Sequence, residues 1–159
     1  MDILTPRGQQ YVEHERRVIE RMRSYFTDCA IYHTPINAPA SLDIIVTRNG
    51  RLVAVAEIKC RNNSIDEFNR FGSLILTWTK VQALVDVAMA LYVPGFVVLY
   101  SIPDDEVLIA NAVYRDGTIA PGIVKEHTVT QRTCNGGEVT RLNGYLPIDM
   151  FRFFEPNLF

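Results

Sequence analysis

The chain has 159 residues, 48% hydrophobic and 21% charged, which fits a folded domain and excludes disordered, collagen-like and coiled-coil chains. With 16 Lys and Arg against 18 Asp and Glu the net charge is −2, so any hold on nucleic acid has to come from a local patch rather than bulk charge. No apolar run reaches the roughly 18 residues of a membrane span, because the richest stretch, 84–100, is broken by Asp86, Pro94 and Gly95.

The N-terminus lacks the basic start, apolar middle and cleavage site of a secretory signal, and the expectation is an intracellular, cytoplasmic chain. Thr5-Pro6 supplies an N-cap and a first helical position for a helix over residues 7–26. Wound at about 100° per residue, Tyr11, Val12, Val18, Ile19, Met22, Tyr25 and Phe26 share one arc roughly 140° wide. Glu15 falls near the middle of that apolar arc, where a solvated carboxylate does not belong. After a loop holding Pro35 and Pro39, apolar strands over 42–47 and 52–60 flank Arg48-Asn49-Gly50-Arg51, and Asn-Gly is the strongest short hairpin signal.

A polar stretch over 61–69 follows, and then a helix over 79–92 with Val81, Leu84, Val85, Ala88, Leu91 and Tyr92 on one face and Pro94-Gly95 as its stop. Residues 96–101 make the continuous apolar run of a buried central strand, and Pro103-Asp104-Asp105 turns the chain into a strand over 106–114. Strands over 128–132 and 138–142 flank Asn135-Gly136-Gly137 as a further hairpin, and the apolar stretch 145–154 closes the fold. Cys29, Cys60 and Cys134 show no CxxC spacing and read as reduced thiols rather than a zinc site. With no repeat or linker, the pattern predicts a single domain over 1–159, an α/β (α+β) architecture with a mixed central β-sheet flanked by helices.

The chemistry concentrates on the second strand, whose side chains alternate between two faces. Leu52, Ala54, Ala56, Ile58 and Cys60 form an uninterrupted apolar face, whereas Val53, Val55, Glu57 and Lys59 form one that turns charged at its end. Glu57 and Lys59 stand about 7 Å apart by strand rise, a costly pair on a strand built for burial unless something uses it. The partner strand places Asp43 at the open end of the hairpin. A plain two-residue Asn49-Gly50 turn sets Asp43 across from Ala56, on the wrong face. A three-residue loop, or a bulge with the same effect, sets it across from Val55 and diagonal to Glu57. The second arrangement is expected, because it gathers Asp43, Glu57 and Lys59 with Glu15 covering them. Carboxylates without His or Cys favour hard divalent ions, Mg²⁺ or Mn²⁺ over Zn²⁺, and an adjacent lysine suits metal-assisted phosphodiester hydrolysis.

Asp43, 13 intervening residues and Glu57-Ile58-Lys59 resemble the signature of the PD-(D/E)XK nucleases, whose restriction-endonuclease-like fold is found in Holliday-junction resolvases, phage exonucleases and restriction enzymes. A helix carrying Glu15 before the hairpin and a helix after it agree with the resolvase-like members, over about residues 8–101. Leu42 stands where the family usually has a proline. The resemblance implies that Asp43, Glu57 and the main-chain carbonyl of Ile58 hold Mg²⁺, with Mn²⁺ as a substitute. It implies that Glu15 reaches the metal directly or through water, that Lys59 positions or activates the attacking water, and that Lys80 or Gln82 contacts phosphate or substrate.

DNA is the implied partner, cut by a small resolvase-like or phage-type nuclease acting on branched, recombination or repair intermediates. Such domains often pair as a homodimer, and Phe151, Phe153, Phe154, Leu158 and Phe159 either serve that pairing or cap the core. Arg61, Arg70 and Lys80 offer the local basic patch that the net charge requires, or an ordinary solvated surface. Two rival readings stay open: an inactive nuclease-fold module that binds nucleic acid or a protein, and a structural protein in which Glu57 and Lys59 form a surface ion pair. Glu15, taken alone, is either part of the catalytic group or a rim carboxylate paired with Arg23 or Arg51. Tyr11, Trp78 and Tyr92 stack on bases or belong to the core.

Overall fold

The computed structural model describes residues 6–35, 42–132, 138–155 and 158–159. Helix α1 (Pro6–Tyr25) begins at the proline that presets its first turn, and it buries Val18, Ile19 and Met22, followed by Phe26 just past its end. Strand β1 (Cys29–His33), absent from the sequence expectation, pairs antiparallel with β2 (Ile44–Arg48). Strand β3 (Arg51–Arg61) continues the hairpin, and β5 (Gly95–Ser101) lies parallel to it, buried at every position. Strand β6 (Glu106–Val113) closes a five-stranded mixed sheet ordered β1-β2-β3-β5-β6. A parallel pair needs a crossover, and α3 (Trp78–Leu91) supplies it. Ala54, Ala56, Ile58 and Cys60 pack on the α1 side, while Val55, Val97 and Leu99 pack against Val81, Leu84 and Ala88 of α3. The mixed sheet flanked by helices is the α+β architecture expected from the pattern.

Two elements occupy the stretch read as polar loop and its sequel. Helix α2 (Ile65–Phe71) is started by a capping box in which Ser64 accepts from the Glu67 amide and Glu67 accepts from the Ser64 amide. Gly72, at φ 75°, ends it and leads into β4 (Ser73–Thr77). Strand β4 pairs with β8 (Glu138–Pro147), and β8 with β7 (Val124–Arg132), in a second antiparallel sheet ordered β4-β8-β7. Leu74, Leu76 and Leu146 join the α3 side of the core. Gly144 lets β8 approach α3, since a Cβ there would lie 3.1 Å from the Val81 side chain. The expected turn Asn135-Gly136-Gly137 lies outside the described residues.

The chain ends in a short 3-10 turn, Ile148–Met150, and an aromatic tail. Phe151 is in the α3-side core, whereas Phe154, Leu158 and Phe159 pack on the α1 side, with Phe159 4.6 Å from Phe26 by ring centroids. These four cap the core, and Phe153 is exposed. Among the described residues no helix is long and apolar enough to cross a membrane.

Of the two expected devices, a three-residue loop or a bulge, the hairpin uses the bulge. Asn49 and Gly50 both adopt left-handed backbone, φ 52° and 72°, and make a two-residue turn closed by Arg48↔Arg51 and Thr47↔Leu52. The register then shifts to Val46↔Ala54, Ile45↔Val55 and Ile44↔Ala56, which leaves Val53 as the extra residue of a bulge on β3. Asp43, one residue before Ile44, comes level with Glu57 rather than Val55, on the face foreseen but two positions further along. Its amide donates to the Ala56 carbonyl at 3.1 Å.

Candidate active site

Glu57 and Lys59 project from β3 toward the side covered by α3, and Asp43 enters from the start of β2. The Glu57 side chain has no solvent exposure, yet both of its oxygens are matched. Lys59 Nζ donates to Oε1, and Lys80 Nζ, from the first turn of α3, donates to Oε2 at 3.0 Å. Lys80 also stands 3.9 Å from Asp43 Oδ1. The other Asp43 oxygen, Oδ2, accepts the Ile58 amide at 2.8 Å, so the aspartate is fastened to the backbone of the strand that carries Glu57. Asp43, Glu57, Lys59 and Lys80 thus form one cluster around Ile58.

A buried carboxylate is tolerated only when paired and hydrogen-bonded. Burial pushes the Glu57 carboxyl above its usual range, Lys59 opposes that rise, Asp43 adds to it, and Lys80 opposes it in turn. Glu15, from the middle of α1, meets the same group of charges from the other side of the sheet. Burial first, and then Asp43, push it up to about 7. Its Oε2 lies 3.5 Å from His33 Nε2, at the end of β1, but burial lowers the His33 pKa. A carboxyl that holds its proton beside an imidazole that sheds one is not a full ion pair at neutral pH. Burial, followed by Glu15, also pushes the Cys60 thiol up to about 12, which keeps it a thiol.

No protein-family model matches the chain, and no curated protein matches it. Among solved structures it is similar to Hjc, a Holliday junction resolvase from the archaeal hyperthermophile Archaeoglobus fulgidus, at 16% identity over 63% of this chain and 75% of that one, with a TM-score of 0.47. It is also similar to a nuclease from a fusselovirus, at 12% identity over 96% of this chain and 90% of that one, with a TM-score of 0.47. What the site can do is read from its own side chains.

The remaining residues singled out by sequence divide clearly. Arg61 lies on the same strand beyond Lys59, and its guanidinium donates to the carbonyls of Cys60 at 3.1 Å and Ile75 at 3.3 Å. Gln82 is not brought to the cluster: it is exposed on α3 and donates to Asp86 at 2.9 Å. Arg70 is exposed in the last turn of α2. Tyr11 packs at the edge of the α1-side core, Lys125 sits over the Trp78 ring at 4.3 Å, and Tyr92 is exposed at the end of α3. Neither Arg23 nor Arg51 pairs with Glu15; Arg23 donates to the Ile31 carbonyl instead. Sequence reasoning missed His33, which only the unforeseen β1 brings beside Glu15.

Among the described residues no three His, Cys, Asp or Glu side chains are gathered into a ligand set for a metal ion. The donors around Ile58 are nevertheless carboxylate oxygens whose negative charge two ammonium groups balance, and an all-oxygen set of this kind suits a hard divalent cation.

Proposed function

We propose that the chain is a metal-dependent nuclease that hydrolyses DNA phosphodiester bonds, as its resemblance to the PD-(D/E)XK signature implies. The observation that carries the reading is the Glu57 carboxylate, fully buried between Lys59 and Lys80 and level with Asp43. Structural ion pairs are rarely placed at such desolvation cost, which makes this pair a candidate functional site.

Asp43, Glu57 and the Ile58 carbonyl would hold Mg²⁺ or Mn²⁺, with Glu15 reaching it directly or through water. Such a cation supplies charge neutralisation at the phosphate and a water that ionises near neutral pH. Lys59 orients the attacking water in line with the scissile bond and offsets negative charge in the transition state, and Lys80 serves the phosphate from the opposite side. The resolvase-like order of elements makes branched DNA of recombination or repair the substrate class to test first, and two paired copies would reach two strands.

The test is cleavage of labelled linear duplex, single-stranded and four-way-junction DNA in Mg²⁺, Mn²⁺ or EDTA, with Asp43→Ala and Lys59→Ala beside the wild type. Metal-dependent cutting that falls by about a thousandfold in both variants is expected. Cutting that persists in both, or binding without any metal-dependent cutting, overturns the reading; the latter result describes an inactive binding module.

A further inference from the structure

Beside the Glu57 cluster, between β4 with the end of α2 and the β7–β8 pair, lies a groove of about 770 Å³. Lys59, Arg61, Lys80 and Arg141 line it, and no acidic residue does among the described residues. In a chain of net charge −2 this is a strong local segregation of positive charge. Glu57 already balances Lys59 and Lys80, but among the described residues Arg61 bonds only neutral carbonyls, and Arg141 is exposed and makes no ion pair. Two guanidinium charges are therefore left for an anion. The same groove presents rings: Phe71 is 61% exposed at the end of α2, and Tyr145 faces the groove from β8. A large phenyl ring left in water beside uncompensated arginines is the combination that stacks bases while holding phosphates.

Duplex DNA offers phosphates but no free base faces, because its bases stack on each other and present only their edges. The groove volume is also in the range of about 300–1,000 Å³ typical of small-ligand sites, suited to a short stretch of single strand. We propose that this groove binds an unpaired DNA strand, with phosphates on Arg61 and Arg141 and bases against Phe71 and Tyr145. This strand leads past Lys59 and Lys80 to the Glu57 cluster, and that last clause rests on the nuclease reading. The β7–β8 pair is then a specificity wall, and the substrate is one that exposes an unpaired strand.

The test is fluorescence anisotropy in EDTA with a labelled oligothymidylate and a blunt duplex of equal strand length. Wild type is compared with Arg141→Glu and Phe71→Ala, both surface changes whose folding is checked by circular dichroism. The single strand is expected to bind at least about tenfold tighter than the duplex, and each variant to lose about tenfold of that affinity. Arg141→Glu should also flatten the salt dependence. Equal or tighter duplex binding, or single-strand affinity unchanged in both variants, overturns the proposal. Metal-dependent cutting of duplex by a protein with no single-strand binding sinks the groove and spares the nuclease. Single-strand binding that Arg141→Glu abolishes, in a protein that cuts nothing in Mg²⁺, does the reverse.

Discussion

Replacing Glu15 with Gln should make the metal-free protein more stable at alkaline pH and no more stable in acid. Below pH 4.5 the carboxyl is protonated in both the folded and the unfolded chain, and it costs nothing. Between 4.5 and about 7 the unfolded chain ionises Glu15 while the folded chain keeps its proton, so stability drains away as pH rises. Above 7 both are ionised and the whole cost is in force. The gap between 4.5 and about 7 gives a cost of about 3 kcal/mol at the usual value per pH unit. The side chain is 26% exposed, so solvent screening brings the expected gain to about 2–3 kcal/mol. Urea denaturation in EDTA at pH 4.5 and pH 8.5 measures it, with a Tm rise of roughly 4–12 °C at the higher pH. A gain of the same size at both pH values, or a loss at pH 8.5, would refute the assignment of Glu15 to a buried, repelled carboxyl. If Glu15 also serves the cation, the stabilised variant should cut DNA more slowly, so that stability and activity move in opposite directions.

Three further changes probe the frame around the site. Ser64→Ala removes the oxygen that accepts the Glu67 amide at 3.2 Å and should cost about 1 kcal/mol in urea denaturation. Lys80→Ala should slow cleavage by about tenfold or more, whereas Gln82→Ala, on the exposed side of the same helix, should leave the rate within about twofold. Mg²⁺ at about 100 times its dissociation constant should stabilise the wild type by about 2.7 kcal/mol in a thermal melt and leave Asp43→Ala unmoved.

Most of the framework was legible because it depends on strong local signals. The amphipathic arc of α1, the Asn49-Gly50 turn, the apolar run of β5 and the stop at Pro94-Gly95 each act over a few residues. The missed elements have weaker local grounds. Ser64 and Glu67 carry the capping-box spacing, but the helix they start has seven residues and buries only Phe68. Strand β4 alternates Leu74 and Leu76 inward with Ile75 outward, and it is a strand because β8, some 70 positions away, pairs with it. The cluster itself was read correctly as to face but not as to register, since whether Asp43 meets Val55 or Glu57 is decided by a bulge at Val53 that no turn residue announces. Glu15 stood out as a carboxylate on an apolar arc, yet its neighbour His33 depends on β1, a five-residue strand with little alternation to betray it.

The bulge at Val53 makes the site depend on a count of residues. Strand side chains repeat every two positions, so a segment between the turn and the site that gains or loses one residue exchanges its inner and outer faces. Removing Val46 from β2, with the turn and the bulge kept, would set Asp43 opposite Ala56, pointing its carboxylate into the α1-side core, whereas removing Val53 takes out only the unpaired residue and leaves Asp43 level with Glu57. Losing a facing pair, one residue from each strand, would shorten the hairpin and keep the parity. Apart from loss of the bulge residue itself, length changes in this hairpin are thus tolerated only in steps that preserve the phase of the pleat, and a stretch that touches none of the charged groups still sets whether they can meet.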